Sequence, residues 1–184
     1  NAQDRFDPVL ENLKQVHAQA IPVLVHTAGS EGVANTARMW RVSNSTRSVL
    51  SHGCFDGWKS APAVKAMGMP VNNGPRTFDY FPTREGRIVG ITAAYLEAGN
   101  ENISLNTDAP VMPAEELFLQ GAMSARLGAD SYKMLRAVTI QPAIQFGLDE
   151  RVGSLEPEKD ADIVIWSGEP LDPRSRDELV LIDG

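Results

Sequence analysis

Residues 21–29 read IPVLVHTAG, a run that is nearly all β-branched residues and leucine and that ends at His26. A continuous apolar run is the pattern of a strand covered on both faces, as parallel strands are. Whether the fold is a parallel α/β sheet then depends on what flanks the run. Upstream, Asp7-Pro8 is a helix start, and Val9, Leu10, Leu13 and Val16 recur at the spacing of one helical face up to Ala20.

Downstream the same grammar repeats. EGVANTARMWRVS (31–43) can form a helix, TRSVLSHG (46–53) a short strand ending at His52, and GWKSAPAVKAMG (57–68) a helix closed by Gly68. MPVNNGPR (69–76) is a third, shorter strand and a turn. The Pro- and aromatic-containing loop GPRTFDYFPTREG (74–86) leads to a helix over GRIVGITAAYLEAG (86–99). The fourth strand opens ENISLNTDAPVMPAEELF (101–118), where apolar Ile103 and Leu105 alternate with Ser104 and Asn106 before the chain reaches Asp108 and two prolines.

Four helix-and-strand alternations predict parallel βα units with right-handed crossovers, and in such sheets ligands bind at the carboxyl ends of the strands. His26, His52 and Asp108 all fall there, although they are far apart in sequence. Neutral imidazole and carboxylate suit Zn²⁺ and related divalent ions. These three residues are therefore the candidate metal ligands, and Asp108 is also the candidate catalytic base, placed to take a proton from an activated water. The structural alternative for Asp108 is helix capping, with Thr107 or Asp108 accepting from the first N–H groups of a helix that starts near Pro113 and carries Glu115 and Glu116 in its first turn.

Other candidates carry less. Arg76, Asp79 and Tyr80 follow the third strand, and Arg76 is a weak candidate for substrate contact, since loops of βα proteins set specificity. Phe78, Tyr80 and Phe81 can simply pin that loop down. His17 lies inside the first helix with no partner at ligand spacing and reads as a surface or packing residue. Cys54, two residues past His52, reads as a buried small hydrophobe.

Composition bounds the function classes. The chain has 184 residues, is 42% hydrophobic and 22% charged, and has a formal net charge of -7. That describes a soluble globular chain of one domain or slightly more. Acids and bases are interspersed without a basic block, so nucleic acid is a poor partner. No apolar run approaches the roughly 20 residues that span a bilayer, and the amino end lacks the basic and apolar regions of a secretory signal. A soluble, cytoplasmic setting is slightly favoured, but the compartment stays open. The single cysteine cannot form an intramolecular disulfide.

PVLVHTAG, SVLSHG, LNTDAPVMPAEEL and the late run AVTIQPAIQFGLDERVGSLEPEKDADIVIWSGEPLDP together resemble the amidohydrolase superfamily of metal-dependent hydrolases, more closely its imidazolonepropionase-like and prolidase-like branches. The resemblance covers nearly the whole chain, and the late run is its most specific piece. It implies the carboxyl-terminal half of a (β/α)₈ barrel, strands five to eight, over residues 1–148, followed by part of a small β-sandwich over 149–184. It makes His26 the ligand after strand five, His52 the ligand after strand six and Asp108 the catalytic Asp after strand eight. It also implies one or two divalent ions, zinc above all, and hydrolysis of an amide or cyclic amide C–N bond in a small-molecule or dipeptide-like substrate.

The departures from the family pattern matter as much. The family's His-x-His pair on the first strand and the bridging Lys or Glu on the fourth have no counterpart here, so the chain is expected to be cut at both ends and inactive alone. Its open sheet edges would recruit the missing half or another copy of the chain. Glu158 in EPEK stands where a glycine is common, which puts that hairpin in doubt. Two rival readings remain. A non-catalytic open α/β domain that binds a ligand or partner explains the alternation but not the two His and the Asp. A nucleotide-binding domain would need G-x-G-x-x-G, which HTAGSEG lacks.

Overall fold

The computed structural model describes residues 6–79 and 86–184. Helix α1 (Pro8–His17) leads to strand β1 (Val23–Thr27), and α2 (Ser30–Ala37) continues through a π-helical stretch, Arg38–Ser43, to β2 (Ser48–His52). A 3-10 turn (Phe55–Ser60) runs into α3 (Ala61–Ala66) and then β3 (Val71–Asn73). The two-residue strands β4 (Phe78–Asp79) and β5 (Val89–Gly90) pair antiparallel before α4 (Ile91–Glu97) and β6 (Ile103–Leu105). A 3-10 turn (Ala114–Glu116) opens α5 (Leu117–Arg126), followed by α6 (Ser131–Ala137) and α7 (Ile140–Phe146). Strands β7 (Ile163–Trp166) and β8 (Asp177–Leu181) close the chain as an antiparallel ribbon.

Strands β1, β2, β3 and β6 form one sheet in that order, every pair parallel. The α/β expectation is therefore met. The register Thr27↔His52↔Asn73↔Leu105 brings all four carboxyl ends to one level. Side chains alternate across a strand, so residues in register share a face. The row Val25–Leu50–Val71–Ile103 lies on the outer face. Leu50, Val71 and Ile103 pack there beneath Val33 and Ala37 of α2, Ala61 and Val64 of α3, and Ile91 and Tyr95 of α4, all buried. A second cluster joins Leu105 to Ala93, Met134 and Ala137 under α4 and α6.

The next row, His26–Ser51–Asn72–Ser104, lies on the inner face and is polar throughout. Asn72 Nδ2 donates to Ser104 Oγ at 2.6 Å, and Ser104 Oγ donates to Oε1 of Gln145 on α7 at 2.6 Å. Gln145 Nε2 in turn donates to the carbonyl of Val71 at 3.1 Å. This buried chain of amides and a hydroxyl satisfies groups that would otherwise cost free energy on leaving water.

Two expectations need correction. The strand at 21–29 is not covered on both faces: Leu24 is 39% exposed and His26 is exposed, because β1 is the edge of the described sheet. Full burial instead describes Ser48–Ser51 of β2. The helix expected over Gly86–Gly99 begins only at Ile91. Val89 and Gly90 are paired with Asp79 and Phe78, and Gly90 passes so close to the carbonyl of Leu127 that a Cβ there would sit 2.5 Å from its oxygen. Tyr80 and Phe81 lie outside the described residues. Among the described residues, no helix is long and apolar enough to cross a membrane.

Candidate metal centre

The site forms where β1, β2 and β6 end. His26 Nδ1 and His52 Nε2 stand 2.8 Å apart, and Asp108 Oδ1 is 3.9 Å from the same His52 nitrogen. One ligand atom from each of the three residues lies within 4.8 Å of the other two. Tetrahedral bonds of about 2.0–2.1 Å place ligand nitrogens about 3.3 Å apart, so an ion fits after an opening of a few tenths of an ångström. His17 ends α1 and joins no such cluster among the described residues.

Two of the three residues reach the site through uncommon backbone. In an undisturbed strand His52 would share the outer face with Leu50; instead its φ is 76° and that of Gly53 is 57°, and its ring meets His26. Asp108 has φ 51°. Left-handed conformations cost roughly 1–2 kcal/mol for a residue with a Cβ, so surrounding bonds must hold them. Asn73 Nδ2 donates to the carbonyl of His52 at 2.9 Å, Gly53 N donates to Thr27 O at 3.0 Å, and Val111 N donates to Asp108 O at 2.8 Å. Strain maintained in this way is the pattern of a functional position.

The His52 ring is oriented from behind. Its Nδ1 stands 2.8 Å from the carbonyl oxygen of Gly74, an acceptor only, so Nδ1 carries the proton and Nε2 presents its lone pair toward His26 and Asp108. This is the tautomer a metal ligand needs, and the donor set fits a divalent ion. Cys54 Sγ donates to the same carbonyl at 2.9 Å; burial pushes its thiol pKa up, which suits a packed structural cysteine. Gly74 is irreplaceable in a steric sense. At φ 130° it lies against β6's end, where a Cβ would come 2.0 Å from Asn106 O.

The capping alternative for Asp108 is not what forms. The 3-10 turn at Ala114 follows Pro113 without a side-chain cap, α5 likewise has none, and the Asp108 carboxylate faces His52. Arg76 follows β3 as expected, with its guanidinium stacked on the Phe55 ring 4.6 Å from the centroid. Asp79 is buried and accepts from Trp58 Nε1 at 3.0 Å, which makes it a strut for its loop.

Sequence reading missed the residues that orient the site: Gly74, Asn73 and Asp56. The NNGP turn marked the place of the first two, but a backbone carbonyl's partner has no signature in sequence. Asp56 accepts at both carboxylate oxygens from Ser30, the first residue of α2. The Ser30 N–H bond, first among the causes, holds its pKa below the usual aspartate value. A carboxylate at that helix start also occupies the position where a nucleotide phosphate would bind, which disfavours the dinucleotide reading.

Comparison with known proteins places the chain in a family and a fold. The family model described as Amidohydrolase family matches residues 9–181, and the chain belongs to that family. An amidohydrolase from Thermotoga maritima MSB8 superposes with a TM-score of 0.81 at 32% identity, over 98% of this chain and 46% of that one. An adenosine deaminase from Xanthomonas campestris with bound zinc shares the fold at a TM-score of 0.64 and 20% identity, over 97% and 48%. The amidohydrolase tasK of Hapsidospora irregularis is 35% identical over 78 residues, 42% of this chain and 8% of that protein. The chain thus spans just under half the length of these two solved relatives and a small fraction of the curated one.

Proposed function

We propose that the chain is the carboxyl-terminal half of a (β/α)₈ metal-dependent amidohydrolase, with β1, β2, β3 and β6 as barrel strands five to eight within residues 1–148 and part of a β-sandwich within 149–184. The observation that carries this reading is the convergence of His26, His52 and Asp108 within 4.8 Å at the carboxyl ends of parallel strands. His26 and His52 would hold a divalent ion with Asp108; two imidazoles and a carboxylate favour zinc. Residues outside this chain would add further ligands for one or two ions.

The reaction is hydrolysis of an amide or cyclic amide C–N bond in a small, dipeptide-like molecule. When bound, the ion supplies a Lewis acid that lowers the pKa of water to about 7. Asp108 accepts the proton of the attacking water and returns it to the leaving nitrogen, so the C–N bond breaks with an amine leaving neutral. The carbonyl of Gly74 keeps the His52 proton on Nδ1 throughout. Arg76 is the proposed contact for an anionic substrate group. Edge strand β1, with its exposed Leu24, is the part of the sheet that the missing half, or a second copy, would cover.

Complementation tests this. The isolated chain should show no enzymatic amide hydrolysis. A separately expressed amino-terminal half with its own His-x-His pair should restore it, and a chelator should abolish it. In the restored enzyme Asp108→Asn should lower kcat by about 10²–10⁴-fold with little change in melting temperature. Chelator-sensitive turnover by the chain alone would overturn the half-enzyme reading. Undiminished turnover by Asp108→Asn would remove the base, and no turnover under any complementation would favour a binding domain.

A further inference from the structure

The two histidines of the site sit on neighbouring strands, and one of those strands, β1, is the edge of the described sheet. A ligand pair on an edge strand needs more than the ladder to keep its spacing. The loops that follow the two histidines are stitched together. Gly53 N donates to Thr27 O at 3.0 Å and Gly29 N donates to Cys54 O at 3.2 Å. Ser60 Oγ donates to Ser30 O at 2.6 Å.

At the centre of the stitching lies Asp56. Helix α2 starts directly after the His26 loop, and its N-cap is Gly29, which has no side chain to satisfy the free N–H groups of the first turn. Asp56, four residues beyond His52, supplies the cap from the neighbouring loop: Ser30 N donates to Oδ1 at 3.0 Å and Ser30 Oγ donates to Oδ2 at 3.1 Å. Lys59 Nζ steadies the carboxylate from its own turn at 3.3 Å. Beneath the loop the buried hydroxyl of Tyr95 donates to Gly57 O at 3.2 Å, so the segment carrying Asp56 is itself anchored to the core.

We infer that Asp56 is a positioning residue for the metal pair: its two-point bond to Ser30 fixes the His26 loop to the His52 loop and thereby sets the His26–His52 separation. The inference rests on the proposed metal site and adds to it a residue that touches neither ligand. The Asp56 cap spans the two loops that directly follow the strands carrying His26 and His52.

Cobalt(II) titration followed by its visible absorption, together with imidazole ¹⁵N NMR of the metal-free chain, tests the inference. Asp56→Ala should weaken Co²⁺ binding about tenfold, alter the visible bands and shift the His26 ring nitrogens. Asp56→Asn, which can still accept from Ser30 N, should restore most of all three. Ser30→Ala keeps the backbone bond and loses the hydroxyl one, so it gives a milder step of about threefold that does not threaten folding. Unchanged affinity, bands and ring shifts in Asp56→Ala and Ser30→Ala, with only a lower melting temperature, would overturn the inference. Failure of the unsubstituted chain to bind Co²⁺, or unchanged binding after His26→Ala with His52→Ala, would overturn the metal-site reading instead; the metal-free ring shifts would still decide whether Asp56 sets the histidine pair.

Discussion

The two faces of one sheet differ in kind. The outer row Val25–Leu50–Val71–Ile103 is apolar and, from Leu50 to Ile103, roofed by helices, whereas the inner row His26–Ser51–Asn72–Ser104 is polar, bonded to itself and to Gln145, and open at β1. Burial of the outer row removes apolar area from water at about 25 cal/mol per Å² and supplies the driving force for folding. The inner row contributes specificity of arrangement and carries the candidate site at its carboxyl end. Stability and chemistry are thus divided between opposite surfaces of the same strands, and substitutions should separate them.

The largest effect is expected where the division fails. Gly74 belongs to the site side, yet a Cβ there would strike Asn106 O. Gly74→Ala should cost about 4 kcal/mol, from overpacking plus a strained positive φ. Urea denaturation checks it, and a cost below about 1 kcal/mol would show that β3 and β6 can part without loss.

The direct comparison is Leu50→Ala against Leu24→Ala. Leu50 is fully buried on the outer face and should lose about 3 kcal/mol, within the range for cavity-forming substitutions. Leu24 is 39% exposed and should lose less than about 1.5 kcal/mol in the isolated chain. Calorimetric melting distinguishes them. Equal losses would mean that the inner face is packed in solution, as it would be in a tight dimer. A Leu24→Ala loss that grows when the complementing half is added would sharpen the comparison.

The smallest effect lies away from the sheet. Glu158 adopts φ 73°, a left-handed conformation that glycine favours. Glu158→Gly should stabilise by about 0.5 kcal/mol, the left-handed penalty removed less the entropy that glycine adds to the unfolded chain. A shift in melting temperature of either sign by more than a few degrees would show that the carboxylate has another role.

What the sequence determined by itself was the order of elements and the level of the site. Continuous apolar runs, Gly-closed helices and chemistry-bearing residues at strand ends are local features, so the α/β alternation and the trio His26, His52 and Asp108 could be read from it. The start of α4 could not, because it depends on Gly90 passing beneath Leu127, 37 residues later in the chain. The same holds for the tautomer of His52, which is set by a carbonyl 22 residues away, and for the Asp56 bond to Ser30 across 26 residues. Propensity and periodicity are properties of neighbours in the chain. The backbone strain at His52 and Asp108, the polar inner row and the orientation of each ring are properties of neighbours in space, and only the tertiary structure decides those.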